Sequence, residues 1–262
     1  MTESQEFNVW EGVYSSFAEA DATGPGFDGD IWRERSIQAG REFLRQVERG
    51  EPLDYSLSQR NALLPVVAAM LLSRQDRVRI LDFGGGPGYG LMVLMDALGD
   101  ARPRIDYHVV DVKNICEAGK EFFANGEGPI FHSTLPPSSE ASFDLVHTSS
   151  TMQYIEDWRT IVGLLASYRA PYLVFEDVFV GAFPSYVTVQ NYYGSRIPHW
   201  FFNFGDFVSE IERHGYNMFL RAPCHVKVLG KHGPLPMANF SGNYQLSSKS
   251  NVLFGIKGGT AG

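Results

Sequence analysis

The sequence predicts a doubly wound α/β fold: a mainly parallel seven-stranded sheet with an antiparallel edge strand, preceded by an N-terminal helical and aromatic arm. Three observations carry this expectation. From Val78 onward, short β-rich runs alternate with helical ones; a glycine-dense turn follows the first of those runs; and the chain closes on two β-rich runs with no helix between them. Strands separated by helices need crossover connections, which a parallel sheet covered on both faces provides. The two closing strands can pair directly, so they are expected antiparallel at one edge.

Taken in order, the arm comes first. Phe7, Trp10, Tyr14, Phe17 and Phe27 make it too aromatic for a solvated tail, and the turn formers of ATGPGFDG at Ala22 to Gly29 mark a loop. A helical stripe of Ile37, Phe43, Leu44 and Val47 follows. Ser56 and Gln59 resemble a capping box opening a second helix through Leu72, with Pro65 expected to kink it. The strands are then expected at 78–83, 106–111, 129–133, 143–149, 172–178, 217–222 and 251–257, and the helices near 89–98, 113–124, 157–168 and 205–214. Residues 1–55 are expected to form an arm and helix that act as a lid, and residues 56–262 the catalytic domain. TVQNYYGSRIPHWFF is expected to be a loop between the fifth strand and the next helix.

Composition removes several function classes. Lys and Arg total 22 against 30 Asp and Glu, for a formal charge of -8, and such a field repels nucleic acid and anionic lipid. The longest nearly apolar run, Ala62 to Leu72, is far short of the about 20 residues that cross a bilayer. The opening MTESQEF has no apolar stretch of a secretory signal, so a cytoplasmic protein is expected. Cys116 and Cys224 are far apart and lack metal-ligand spacing, so neither a disulfide scaffold nor a metal site is expected.

The run LDFGGGPGYG sets Asp82, Gly84, Gly86 and Gly88 at alternate positions between a strand and a helix. Glycines there permit a tight turn and a close approach of backbone N–H groups to a ligand. A dinucleotide fingerprint needs Gly-x-Gly-x-x-Gly or Ala, but Tyr89 or Leu91 falls at its last position; a P-loop needs Lys and Ser or Thr where Leu91 and Met92 stand. Asp111 ends the next strand, where a carboxylate can accept both hydroxyls of a ribose.

The LDFGGGPG turn, the acid at Asp111, and a third and fourth strand without a clear helix between them resemble the S-adenosylmethionine-dependent methyltransferases over roughly residues 60 to 257. The resemblance implies S-adenosylmethionine as cofactor. It implies that Asp82, Gly84, Gly85, Gly86 and Gly88 hold its methionine end, Asp111 its ribose, and that Val112 flanks the adenine. FDLVHTSSTMQYIED is similar to the family's fourth strand and following turn, which puts Ser149, Ser150 and Gln153 near the cofactor and Tyr154 near the transferred methyl. FHSTLPP lacks the acid that often meets the adenine amino group; Ser133 stands in its place. More narrowly, FNVWEGVYSSFAEA, GFDGDIW and TVQNYYGSRIPHWFF resemble a bacterial methyltransferase family with unassigned acceptors, associated with surface-polysaccharide or secondary-metabolite pathways. A small-molecule or sugar acceptor, methylated on oxygen, is the expectation. The alternative is a non-catalytic cofactor-binding module whose aromatic segments bind another protein.

Candidates for proton transfer are Glu176 at the end of the fifth strand and His199, whose imidazole stands beside Trp200, Phe201 and Phe202. His147, inside a strand, reads more naturally as a hydrogen-bonded core histidine.

Overall fold

A computed structural model describes residues 7–124 and 128–258. The central sheet has seven strands: β2 (Val78–Phe83), β3 (Ile105–Val110), β4 (Ile130–His132), β5 (Leu145–Ser149), β6 (Tyr172–Val178), β10 (Tyr216–Cys224) and β11 (Lys249–Ile256). Their spatial order is β10-β11-β6-β5-β2-β3-β4. The run from β6 to β4 is parallel, and β11 lies antiparallel to both β6 and β10. The strand order reverses beside β2, at the carboxyl ends where ligands sit in such sheets.

Both faces are covered because the parallel strands read as continuous apolar runs. On one face α6 (Trp158–Ser167) and α7 (Phe204–Arg213) press Trp158, Val162, Leu165, Phe207 and Ile211 onto Leu81, Val146, Leu173 and Phe175. On the other, α3 (Leu63–Leu72) and α4 (Tyr89–Leu98) pack Leu64, Val67, Leu91 and Leu94 against Ile80, Val109 and Val174, with α5 (Lys113–Phe122) adding Cys116. Side-chain oxygens close the helix starts: Asp157 accepts from the Thr160 N–H of α6 and Asn203 from the Asp206 N–H of α7.

Two local expectations are corrected. Asp54, rather than Ser56, caps α2 (Tyr55–Arg60), accepting from the N–H groups of Ser56 and Leu57. The helix then stops at Asn61, and α3 begins anew at Leu63, so Pro65 sits in a first turn where its missing N–H is harmless and no kink arises.

The larger correction concerns RIPHWFF. Rather than a loop it belongs to β9 (Ser195–Asn203), which forms a hairpin with β8 (Tyr186–Tyr192) through Tyr193 and Gly194, both at positive φ. That two-residue loop matches the twist of the flanking strands. The arm strand β1 (Trp10–Tyr14) pairs antiparallel with β8, and the short β7 (Val180–Gly181) pairs with the end of β9, giving a second, four-stranded sheet β1-β8-β9-β7. Pro198 is tolerated because β7 pairs with β9 only at Phe202 and Asn203, leaving that edge of the strand without a ladder at Pro198. The helix α1 (Asp30–Glu48) completes the N-terminal segment and packs against α4 and α5, Gly40 fitting closely over the Phe122 ring.

Candidate active site

The glycine turn leaves β2 with Gly84, Gly86 and Gly88 at φ of 72°, 60° and 100°, a region that L side chains rarely adopt. Space forbids side chains as well: a Cβ on Gly84 would strike Thr151, and one on Gly85 the Asp82 carboxylate. Asp111 faces this turn. Its Oδ2 accepts from the Gly86 N–H at 2.8 Å and its Oδ1 from the Val112 N–H at 2.7 Å. Burial pushes the Asp111 carboxyl upward, against the pull of those two amides.

Asp82 lies against the glycine turn, but its carboxylate is engaged within the core. It is 1% exposed; its Oδ1 meets His147 Nδ1 at 2.8 Å and its Oδ2 accepts from the Tyr107 hydroxyl at 2.7 Å. His147 Nε2 meets Glu176 Oε2 at 3.1 Å on its other side. Glu176 in turn accepts from the backbone N–H groups of Leu63 at 2.8 Å and Leu64 at 3.1 Å, the first turn of α3, where a carboxylate complements the helix dipole. Burial opposes a charge on His147, but Asp82 and then Glu176 outweigh it and raise the imidazole to about 9. A fully buried carboxylate–imidazolium–carboxylate chain therefore ties the base of the glycine turn to α3. The expectation that Glu176 meets the acceptor fails on this geometry, since both its oxygens are engaged inside the core.

The next residue has a different task. Asp177 adopts φ 54° and points to the other side of β6, where it meets Lys249, the Ser150 hydroxyl and, at 3.6 Å, Arg60 Nε. Burial opposes its charge, yet Lys249 and Arg60 hold the carboxyl below its usual range. Ser150 has φ 55°, a strained conformation for a side chain other than glycine, and Asp177 secures its hydroxyl. Ser149 donates to the Arg60 carbonyl at 2.7 Å. Ser133 is exposed beyond β4, and Val112 is 45% exposed beside Asp111.

Tyr154 follows β5. Its hydroxyl donates to Gln190 Oε1 at 2.7 Å, and its ring meets Phe27 at 4.7 Å and His199 at 5.1 Å, both edge-on. The neighbouring Gln153 is 1% exposed, and its Oε1 has no partner among the described residues. His199 is fully buried, walled by Phe179, Phe201 and Trp10, with neither ring nitrogen partnered among those residues. Burial, aided by the charge of Lys249, depresses its pKa to about 3. The imidazole stays neutral at physiological pH, so its expected titration near neutrality is corrected.

One group of side chains combines depth with access to solvent. Asp111, Tyr89, Arg60, Tyr154 and Tyr192 are each strongly desolvated, yet each remains half-buried rather than closed off. Tyr89 lies within range of the charges of Arg60 and Asp111, and the neutral phenols of Tyr154 and Tyr192 lie near the Arg60 guanidinium. They stand near one another between the glycine turn and the second sheet. Sequence reasoning missed Arg60, Tyr89 and Tyr192 as site residues: no motif surrounds Arg60, Tyr89 was read only as the residue that breaks a dinucleotide fingerprint, and the Tyr193-Gly194 hairpin signal could have pointed to Tyr192. Among the described residues, no group of three or more His, Cys, Asp or Glu could hold a metal ion, and no helix is long and apolar enough to cross a membrane.

Against this geometry, residues 55–219 match a family model described as a methyltransferase domain. The chain belongs to that methyltransferase family. The enzyme is a transferase dependent on S-adenosylmethionine. Magnesium protoporphyrin IX methyltransferase from Synechocystis, solved with S-adenosylhomocysteine, is similar in fold at 12% identity and a TM-score of 0.51, over 87% of this chain and 98% of that one. The 1,6-didemethyltoxoflavin-N1-methyltransferase of Burkholderia thailandensis is similar at 13% identity and a TM-score of 0.51, over 93% and 99% of the two chains. An S-adenosylmethionine-dependent methyltransferase from Clostridium acetobutylicum gives 12%, 0.50, 84% and 99%. A search of curated protein sequences finds no match. The residues fit the cofactor, since a turn of side-chain-free backbone at positive φ lies opposite a carboxylate able to accept ribose hydroxyls.

Proposed function

We propose that the enzyme methylates a small-molecule or glycosidic acceptor, on oxygen, in the cleft between the glycine turn and the β8–β9 hairpin. The observation that carries this reading is the nearness of two groups of half-buried side chains: Asp111 and Tyr89 beside the glycine turn, and Tyr154, Tyr192 and Arg60 toward the hairpin. Gly84 to Gly88 and Asp111 would hold the cofactor, with Val112 along its adenine and Ser149, Ser150 and Gln153 beside it. When bound, S-adenosylmethionine supplies an electrophilic methyl group on a sulfonium.

What the protein adds is alignment and exclusion of water. The rings of Phe27, Tyr154 and Tyr192 form an apolar wall, Phe27 lying 4.7 Å from Tyr154 and 6.1 Å from Tyr192. Burial raises the Tyr154 phenol, which therefore stays protonated and orients an acceptor through its hydroxyl instead of taking a proton from it. An oxygen acceptor suits the unpartnered Gln153 Oε1, which can receive a hydroxyl hydrogen bond.

The N-terminal segment closes the cleft, because Phe27 stands against Tyr154 and α1 lies along α4. Calorimetry tests the cofactor half: S-adenosylhomocysteine should bind one to one. Incubation of candidate alcohols, amines and carbon acids with methyl-labelled cofactor tests the rest. A labelled product methylated on nitrogen or carbon would overturn the oxygen assignment.

A further inference from the structure

The acceptor end of the cleft carries an unusual arginine. Arg60 leaves 43% of its side chain open to solvent, while its Nε is buried. Its backbone is fixed, the carbonyl accepting from Ser149. The guanidinium is not. At 3.6 Å from Asp177, Nε lies beyond hydrogen-bond reach, and it has no other partner among the described residues.

Asp177 is already committed. One of its oxygens takes Lys249 and the other the Ser150 hydroxyl, and its backbone N–H donates to Asn251. Two cations therefore face one carboxylate, and the ammonium that touches it is the one sealed from solvent, Lys249 being 4% exposed. The neighbouring carboxylates Asp82 and Glu176 are bound to His147 between them and cannot turn toward Arg60 without breaking that chain. The unbalanced positive charge belongs to Arg60. Its fork carries several N–H donors in one plane, a geometry suited to a two-oxygen anion, and the aromatic side chains of Tyr154 and Tyr192 share its surroundings.

We infer that Arg60 recognises an oxyanion group on the acceptor, a carboxylate or a phosphate, and so sets the substrate class as small anionic molecules with a planar or apolar body. This rests on the reading of the cleft as a methyltransferase site. The group is bound and does not react; Arg60 fixes the acceptor's orientation while the atom to be methylated lies toward the glycine turn.

The test uses the full chain loaded with S-adenosylhomocysteine and three probes of one shape: benzoate, phenyl phosphate and neutral benzamide. At least one anion should bind tenfold or more tightly than benzamide, and the stronger of the two identifies carboxylate or phosphate as the group recognised. Arg60→Met should erase that preference while S-adenosylhomocysteine affinity stays within twofold, which also reports that the variant is folded. Arg60→Lys, keeping charge without the fork, should retain only a small part of it. If neither anion outbinds benzamide, or if the preference survives in Arg60→Met, the inference is overturned. Failure of the unaltered enzyme to bind S-adenosylhomocysteine would strike the methyltransferase reading instead, so the two failures are distinguishable.

Discussion

The two ends of the proposed cleft are built in different ways. The cofactor end is backbone chemistry drawn from one stretch of chain: Gly84, Gly86 and Gly88 at positive φ, and an aspartate at the end of the adjacent strand that holds the Gly86 N–H. The acceptor end is side-chain chemistry gathered from distant places, with Trp10, Arg60, Tyr154, Asp177, His199 and Lys249 meeting through two sheets and the strand β1. A phosphate-free, widely shared ligand can be met by a local turn; an acceptor particular to one enzyme needs a surface assembled by the fold. Substitutions at the acceptor end should therefore damage folding most, and those at the cofactor end binding most.

The largest effect is expected at Trp10. This arm residue is 2% exposed and packs edge-on against Phe179 at 5.5 Å and Phe201 at 5.8 Å, so it is core of the second sheet as well as part of the proposed lid. Trp10→Ala should cost about 3–5 kcal/mol in urea unfolding, the usual toll for a buried Trp. A loss below about 1 kcal/mol, the range of surface changes, would make β1 a detachable flap and return the arm to a purely gating role.

The buried chain at Asp82, His147 and Glu176 comes next, because it joins the two ends through α3. The folded protein holds the His147 proton more tightly than the unfolded chain, its pKa being raised from about 6.5 to about 9. Its contribution is thus full below about pH 6.5 and is lost as pH climbs through about 9, a span worth about 3 kcal/mol if the whole shift is realised. Unfolding free energy should fall across that window in the native protein. In His147→Asn the slope should flatten, with stability already low at neutral pH because two buried carboxylates lose the cation between them. An unchanged slope would mean that His147 is neutral in the folded state.

Much of the parallel sheet was legible in the sequence, and little of the second sheet was. Strands 78–83 and 172–178 coincide with their sequence expectation because each is a buried parallel run bounded by turn residues. Asp111 was found because strand, acid and helix follow in fixed order. The segment around His199 was expected as a loop; it is a strand paired with β8, and Pro198 is tolerated there because the β7 edge carries no ladder at that residue. Glu176 was the candidate at the end of the fifth strand, yet the alternation of strand side chains and a positive φ at Asp177 send Glu176 to α3 and Asp177 to Lys249 and Arg60. Asp82 looked like a ligand for the cofactor; its neighbour His147 claims it. Such outcomes depend on partners far away in the chain, which no local pattern encodes.

At the cofactor end the expected loss is in affinity. Asp111→Ala removes a carboxylate able to accept two ribose hydroxyls and should weaken S-adenosylhomocysteine binding by about tenfold to a hundredfold, the range of about 1.5–3 kcal/mol for charge-assisted hydrogen bonds. The urea midpoint should change far less than for Trp10→Ala. Calorimetry showing the same affinity in a folded variant would remove Asp111 from the cofactor site. Unlike the catalytic histidine first expected, His199 should leave no inflection in activity between pH 6 and 8, since burial holds it neutral there.

The smallest effect sharpens the comparison most, because it sits where the ends touch. Tyr89 opens α4 immediately after the glycine turn, and its hydroxyl donates to the Ser36 carbonyl of α1 at 2.8 Å while Phe43 packs edge-on to its ring at 5.7 Å. Through this residue, any tightening of the glycine turn around a ligand is passed to the helix that covers it. Removing only the hydroxyl leaves the ring contact in place, so Tyr89→Phe should cost about 0.5–1.5 kcal/mol, the net worth of one hydrogen bond, and weaken S-adenosylhomocysteine binding by no more than about tenfold. Its more telling consequence is in hydrogen exchange. In the native protein the ligand should slow exchange along α1 as well as in the glycine turn; in Tyr89→Phe the turn should still be protected, but α1 less so. Equal ligand-induced protection of α1 in both proteins would mean that the hydroxyl carries none of the coupling, which would then have to run through the Phe43–Tyr89 ring contact alone.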